Sequence, residues 1–125
     1  MYNVTVVSHF SGAHRLRCLQ GRCEHLHGHN WKIEVTVAST GLRRDGIVID
    51  FGVLKQHVEK VLKTLDHSYL NDHPYFSKRE PSSENIARYI YDRIKKELRG
   101  RAVKIEGVTA WESETAFASY LGRSS

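Results

Sequence analysis

The chain has 125 residues, which suits one domain around one core, and its 40% hydrophobic and 26% charged residues are those of an ordinary soluble globular protein. No apolar run reaches transmembrane length, and Met1-Tyr2-Asn3-Val4 lacks the basic and apolar regions of a signal peptide. A cytoplasmic protein with two reduced cysteines and no membrane partner is therefore expected. The formal charge of +5 fits a nucleic-acid partner, an anionic small substrate or solubility alone. The basic residues are scattered, with short runs only at Arg43-Arg44 and Lys95-Lys96, and a solvated surface accounts for most of them.

In chain order, residues 2–10 are rich in β-branched and aromatic types (Val4, Thr5, Val6, Val7, Phe10) and predict a strand. Residues 11–30 mix turn formers with histidines and cysteines and predict a long functional excursion. Residues 31–38 alternate cleanly, with Trp31, Ile33, Val35 and Val37 on one face, and give the best strand signal in the chain. Ser39 to Gly46 reads as a turn, and the apolar run Ile47 to Ile49 is expected to complete the pairing. Asp50 stands at a helix N-cap, and Leu54, Val58, Val61, Leu62 and Leu65 form one apolar stripe that should end near Asp66-His67. Ser68 to Glu80 predicts a loop.

A second helix opens at Pro81-Ser82-Ser83-Glu84 with a serine cap and buries Ile86, Ala87, Ile90, Tyr91, Ile94 and Leu98. Glu84 and Arg88 are placed for an i,i+4 pair, and Gly100 is a good stop. Val103, Ile105 and Val108 begin a third strand whose alternation slips at Gly107, which predicts a bulge; Ala116 to Tyr120 is a fourth. The order ββααββ predicts a single α+β domain over residues 1–125, a four-stranded antiparallel sheet with two helices on one face. Val4, Val6, Val103 and Ile105 supply apolar positions, and one small sheet cannot bury both faces alone, so oligomerisation is expected.

The chemistry concentrates in Cys23-Glu24-His25-Leu26-His27-Gly28-His29-Asn30-Trp31. His27 and His29 project from one face of an extended chain, with Gly28 letting the backbone pass close beneath a ligand. With His14, they make a His-rich set of the composition found in catalytic zinc sites, although copper, nickel and iron also accept imidazole. Histidines of this kind are, one at a time, ordinary surface or core residues; the spacing is what favours a metal. Cys23 reads as a reactive thiolate beside the metal, as a small buried residue, or as a ligand in a Cys18/Cys23/His27/His29 structural knuckle. Asp66-His67 reads as an oriented acid/base pair or as a histidine favoured at a helix C-terminus. Glu112, in Trp111-Glu112-Ser113-Glu114, is either an acceptor of paired N–H bonds from a guanidine-like ring edge or an exposed strand-end charge.

Together these residues resemble the 6-pyruvoyltetrahydropterin synthase and 6-carboxytetrahydropterin synthase family over nearly the whole chain. The carriers are Phe10-Ser11-Gly12-Ala13-His14-Arg15-Leu16, Cys23-x3-His27-Gly28-His29-Asn30-Trp31, Ile49-Asp50-Phe51, Leu65-Asp66-His67-x-Tyr69-Leu70-Asn71-Asp72, Pro81-Ser82-Ser83-Glu84-Asn85 and Trp111-Glu112. The resemblance implies the tunnelling fold, with three subunits closing a barrel and two trimers stacking into a homohexamer. It implies zinc on His14, His27 and His29, Cys23 as the catalytic cysteine, and Asp66 and His67 as its helpers from a neighbouring subunit. It implies Glu112 as the anchor of the pterin ring. The implied substrate is 7,8-dihydroneopterin triphosphate, which loses triphosphate. One family activity then rearranges to 6-pyruvoyltetrahydropterin. The other loses acetaldehyde and gives 6-carboxytetrahydropterin, a queuosine or archaeosine precursor.

The three-residue gap between Cys23 and His27 is that of the carboxytetrahydropterin synthases. A third relative, acting in folate synthesis, carries glutamate near the cysteine position, where this chain has Cys23 followed by Glu24. Trp31 and Ser82-Ser83 depart from the commoner residues of the family. A reading of a different class, a knuckle module binding nucleic acid, leaves His14, Asp66-His67 and Glu112 without a role and finds no basic stripe.

Overall fold

The computed structural model describes residues 1–17 and 25–122. Its backbone is a long antiparallel hairpin, β1 (Tyr2–His14) and β2 (His27–Ser39), paired without interruption from Tyr2 opposite Ser39 to His14 opposite His27. Both strands run further than the apolar pattern predicts, so residues 11–14 and 27–30, expected within a long excursion, are paired strand instead. Polar residues extend the pairing here: Ser11 Oγ donates to Asn30 Oδ1 at 2.6 Å across the strands, and the histidines lie against Trp31. Cross-strand contacts outweigh the weak strand preference of Ser, Gly and His.

Helix α1 (Phe51–Leu62) is capped by Asp50, whose Oδ1 accepts from Val53 N–H at 3.0 Å, and it buries Leu54, Val58, Val61 and Leu62. It stops before the expected Asp66-His67, and turns carry the chain on through Leu65. Ile47 to Ile49 forms no strand. A turn closed by Arg43 N–H to the Ile47 carbonyl directs Val48 and Ile49 into the core as loop residues. The expected loop after His67 contains a two-residue strand, β3 (Ser68–Tyr69), and two short 3-10 turns, Leu70–Asp72 and Pro74–Phe76. Helix α2 (Ser83–Glu97) is capped by Ser82, whose hydroxyl accepts from Asn85 N–H, while Arg88 turns to Asp92 at 3.9 Å.

Strands β4 (Lys104–Trp111) and β5 (Phe117–Tyr120) complete a five-stranded sheet of order β3-β1-β2-β4-β5. The four-stranded, wholly antiparallel ββααββ expectation is corrected in this detail: β3 adds a fifth strand, parallel to β1 through Gly12 opposite Ser68 and Ala13 opposite Tyr69. A two-residue strand leaves no alternation to read; the outer edge of β1 creates it. The bulge is where the pattern slips. Thr36 faces Gly107 and Val37 faces Ile105, so Glu106 is the extra residue. Gly107 beside it leaves room for the tip of the Leu121 side chain, which a Cβ there would meet at 2.7 Å and displace.

Both helices cover one face of the sheet, over a core that includes Phe10 stacked on Trp31 at 5.1 Å between centroids. Val6, Val103 and Ile105 are buried in that core and Val4 packs against it, so these four do not supply an apolar outer face, and that ground for oligomerisation falls. The opposite face is largely polar, with Thr5 bonded to Thr36 at 2.6 Å and Thr109 to Ser119 at 2.7 Å. Among the described residues no helix is long and apolar enough to cross a membrane.

Candidate metal centre

The hairpin register puts His14, the last residue of β1, opposite His27, the first of β2, with His29 one pleat further along the same face. One ligand nitrogen from each of the three histidines lies within 4.8 Å of the others. His14 is fully buried, with its ring edge on Trp31 at 4.9 Å. Its Nδ1 lies 2.6 Å from the Pro81 carbonyl oxygen, which can only accept, so Nδ1 carries the proton and Nε2 keeps its lone pair. His27 is fixed likewise, Nδ1 donating to the His25 carbonyl at 2.8 Å. Backbone carbonyls thus hold both rings in the tautomer that presents Nε2 to a cation. His14 Nε2 is buried and makes no hydrogen bond among the described residues. An orphaned buried acceptor among three imidazoles fits a metal ion, and unpaired it would cost about 1–3 kcal/mol.

Glu112, just beyond β4, reaches the same point: its Oε1 is 3.4 Å from His14 Nε2 and 3.8 Å from His29 Nε2. Its position is set by a turn in which Glu112 N–H donates to the Ala116 carbonyl. A recess of 160 Å³ opens beside the triad, lined by His14, His27, Glu84 and Glu112 together with Ser82 and Ser83. Glu84 is the residue whose place sequence reasoning missed. In the first turn of α2 it reads as a charge favoured by the helix dipole, and only the fold shows that α2 begins at the triad.

Asp66 and His67 do bond each other, although they are neighbours in sequence. His67 has φ 53°, the only positive φ outside glycine among the described residues, and this left-handed turn brings its Nδ1 to 2.9 Å from Asp66 Oδ2. Strand β1 holds the pair from both sides: Ser11 N–H donates to Asp66 Oδ1 at 2.8 Å, and His67 N–H donates to the Ser11 carbonyl at 2.6 Å. The Ser11 N–H, more than the His67 imidazole, keeps the Asp66 carboxyl below its ordinary range. The His67 side chain is 81% exposed and opens onto a second groove of 460 Å³ shared with His29 of the triad, Ser11, Asn30 and Tyr69. His29 is therefore the triad member that faces the dyad's groove, while His14 and His27 line the recess on the other side. Cys18, Cys23 and Glu24 lie outside the described residues. His57 and His73 are held by structural contacts: His57 pairs with Glu97 at 2.9 Å, and His73 Nδ1 accepts from Tyr75 N–H at 3.1 Å.

The family model of 6-pyruvoyl tetrahydropterin synthase matches residues 3–123. A 6-carboxy-5,6,7,8-tetrahydropterin synthase of Synechocystis sp. is 41% identical over 90 residues, 68% of each chain. A dihydroneopterin monophosphate aldolase of Pyrococcus furiosus is 40% identical over 103 residues, 82% of each chain. Among solved structures, 6-pyruvoyl tetrahydropterin synthase of Caenorhabditis elegans superposes with a TM-score of 0.86 at 27% identity, covering 98% of this chain and 96% of its own.

Proposed function

The chain belongs to the 6-pyruvoyl tetrahydropterin synthase family, and on that premise we propose that it is a zinc-dependent 6-carboxytetrahydropterin synthase. Its substrate in this reading is 7,8-dihydroneopterin triphosphate, which with one water gives 6-carboxytetrahydropterin, acetaldehyde and triphosphate. The observation that carries the reading is the cluster of His14, His27 and His29 beside a recess holding two carboxylates. Three neutral imidazoles suit zinc and leave a coordination position open. When bound, zinc supplies a Lewis acid for the substrate's side-chain hydroxyls and makes the adjacent C–H bonds more acidic.

The chain's own residues do the rest. Glu112 accepts paired N–H bonds from the ring edge of the pterin, and Glu84 is a second acceptor in the same recess. Cys23, as thiolate, takes a proton from the side chain. His67 takes or returns another at Nε2, because its Nδ1–H is committed to Asp66. With its carboxyl held below the usual range, Asp66 stays ionised and keeps His67 in that tautomer.

The dyad serves a neighbouring subunit's recess in this proposal. It sits next to β3 at one edge of the sheet, whereas β5, at the other edge, supplies Phe117 and Ala118 to a hollow shared with Glu84 and Glu112. Opposite edges of one sheet suit head-to-tail closure, here into a trimer and, by stacking, a homohexamer. The enzyme is then cytoplasmic and needs no nucleic-acid or membrane partner.

A second reading, a dihydroneopterin monophosphate aldolase, is favoured by the Pyrococcus furiosus relative, whose identity nearly equals that of the carboxytetrahydropterin synthase. The 6-pyruvoyltetrahydropterin product is the remaining variant of the main reading. Replacing Cys23 by alanine tests the proposal. Zinc should remain at one per chain while turnover falls by about 100-fold or more. Loss of zinc together with the fold would favour the Cys18/Cys23/His27/His29 knuckle, and unchanged turnover would remove Cys23 from the mechanism.

A further inference from the structure

A second site lies at the far end of α2. There a groove of 710 Å³ is lined by Lys95, Lys96, Arg99, Arg101 and Lys104 against one carboxylate, Asp92. All five cationic side chains are exposed, and none makes an ion pair or side-chain hydrogen bond among the described residues. Some other surface cations find partners, Arg43 reaching Asp45 at 2.9 Å and Lys60 reaching Glu97 at 3.2 Å, while Arg44, Lys55, Lys63 and Lys78 have none among the described residues; what sets these five apart is that they line one concavity. Even Asp92 is turned toward Arg88. Gathering like charges around one concavity opposes folding and focuses a positive potential there.

Complementing the helix dipole accounts for Lys95 and Lys96 in the last turn of α2. It does not account for Arg99 and Arg101, which flank the turn made by Gly100 at φ 81°, or for Lys104 at the start of β4. These three converge from beyond the helix on a floor of buried Leu98, Val103 and Ile105. A concave site of this volume is of small-molecule size. Arginine forks bind phosphate oxygens in pairs. Tyr91, half-buried and in T-shaped contact with Tyr120 at 4.9 Å, is the one aromatic residue among the groove's lining residues, whereas a nucleic-acid strand stacks successive bases on several.

We propose that this groove is a binding site for a small polyphosphate anion, separate from the metal centre. The 15 residues of α2 put about 22 Å between the two. The inference does not depend on which pterin reaction the triad performs.

Titration calorimetry of the full chain with inorganic tripolyphosphate tests it. One saturable site per chain is expected, weakening several-fold from low to physiological salt. Arg99→Glu combined with Arg101→Glu should weaken it by about 30-fold or more, with melting temperature and pterin turnover unchanged. The milder Lys95→Gln with Lys104→Gln pair should weaken it to a lesser degree. Comparing adenosine triphosphate with tripolyphosphate identifies the source: tighter nucleotide binding supports a moiety resting on the apolar floor, and equal binding supports the phosphates alone. The absence of saturable binding would overturn the proposal. So would binding that survives the double reversal, which places the anion elsewhere, or binding confined to a short single-stranded RNA.

Discussion

Replacing Asp66 by asparagine should leave the fold nearly intact and disable the dyad. In the native arrangement Oδ1 accepts the Ser11 N–H at 2.8 Å and Oδ2 accepts His67 Nδ1–H at 2.9 Å. Asparagine has one acceptor and one donor end. Keeping the strand bond puts its oxygen toward Ser11 and its NH₂ toward His67 Nδ1. The imidazole must then move its proton to Nε2, the nitrogen that should act as the base. The Ser11 bond passes from charge-assisted to neutral, a loss of about 1 kcal/mol, which lowers the melting temperature by about 3–5 °C. Turnover should fall by about 100- to 10,000-fold, the range for an acid/base group held in the wrong tautomer. The assay pairs steady-state kinetics with nitrogen-15 spectra of the His67 ring, which report the tautomer directly. Full turnover in a variant whose spectrum shows the proton on Nε2 would refute the role of the dyad. An unchanged tautomer would refute the reasoning from hydrogen-bond geometry.

Other perturbations follow from the same contacts. His14→Ala removes a buried imidazole held by Pro81 and, if the proposed triad holds zinc, should weaken its binding by more than about 100-fold, read by competition with a chelator. Asp50→Ala removes the cap of α1 and should cost about 1 kcal/mol in denaturant unfolding, with the metal site untouched. Burial, and then Arg93, hold His73 below its ordinary pKa, and the ring accepts Tyr75 N–H as a neutral base. Its contribution is therefore complete above about pH 6.5 and is lost as the pH falls through its lower folded value; the melting temperature of His73→Gln should depend less on pH between 7 and 5 than that of the native chain.

What was legible in the sequence follows from how far each signal reaches. The caps at Asp50 and Ser82, the helix stripes and the bulge at Gly107 depend on near neighbours and a fixed period, and the fold contains them. His27 and His29 were legible as a pair because a strand carries i and i+2 on one face. His14 joins them only through the hairpin register, which no local period records. Strand β3 and the approach of Glu84 to the triad are products of tertiary contact alone. The same holds for Val4, Val6, Val103 and Ile105: their apolar character was legible, but which face of the sheet they occupy was set by where α1 and α2 pack. Asp66-His67 was legible only as one of two readings, because adjacent side chains usually diverge, and the left-handed turn at His67 that joins them at 2.9 Å is not written in its residue type.

The most direct measurement is mass spectrometry of the products that purified, zinc-loaded protein makes from 7,8-dihydroneopterin triphosphate and, separately, from dihydroneopterin monophosphate. 6-Carboxytetrahydropterin with acetaldehyde is expected from the triphosphate, and no reaction with the monophosphate. Carbon–carbon cleavage of the monophosphate alone would transfer the protein to the aldolase reading, and no turnover of either compound with zinc bound at His14, His27 and His29 would contradict the function proposed for this site.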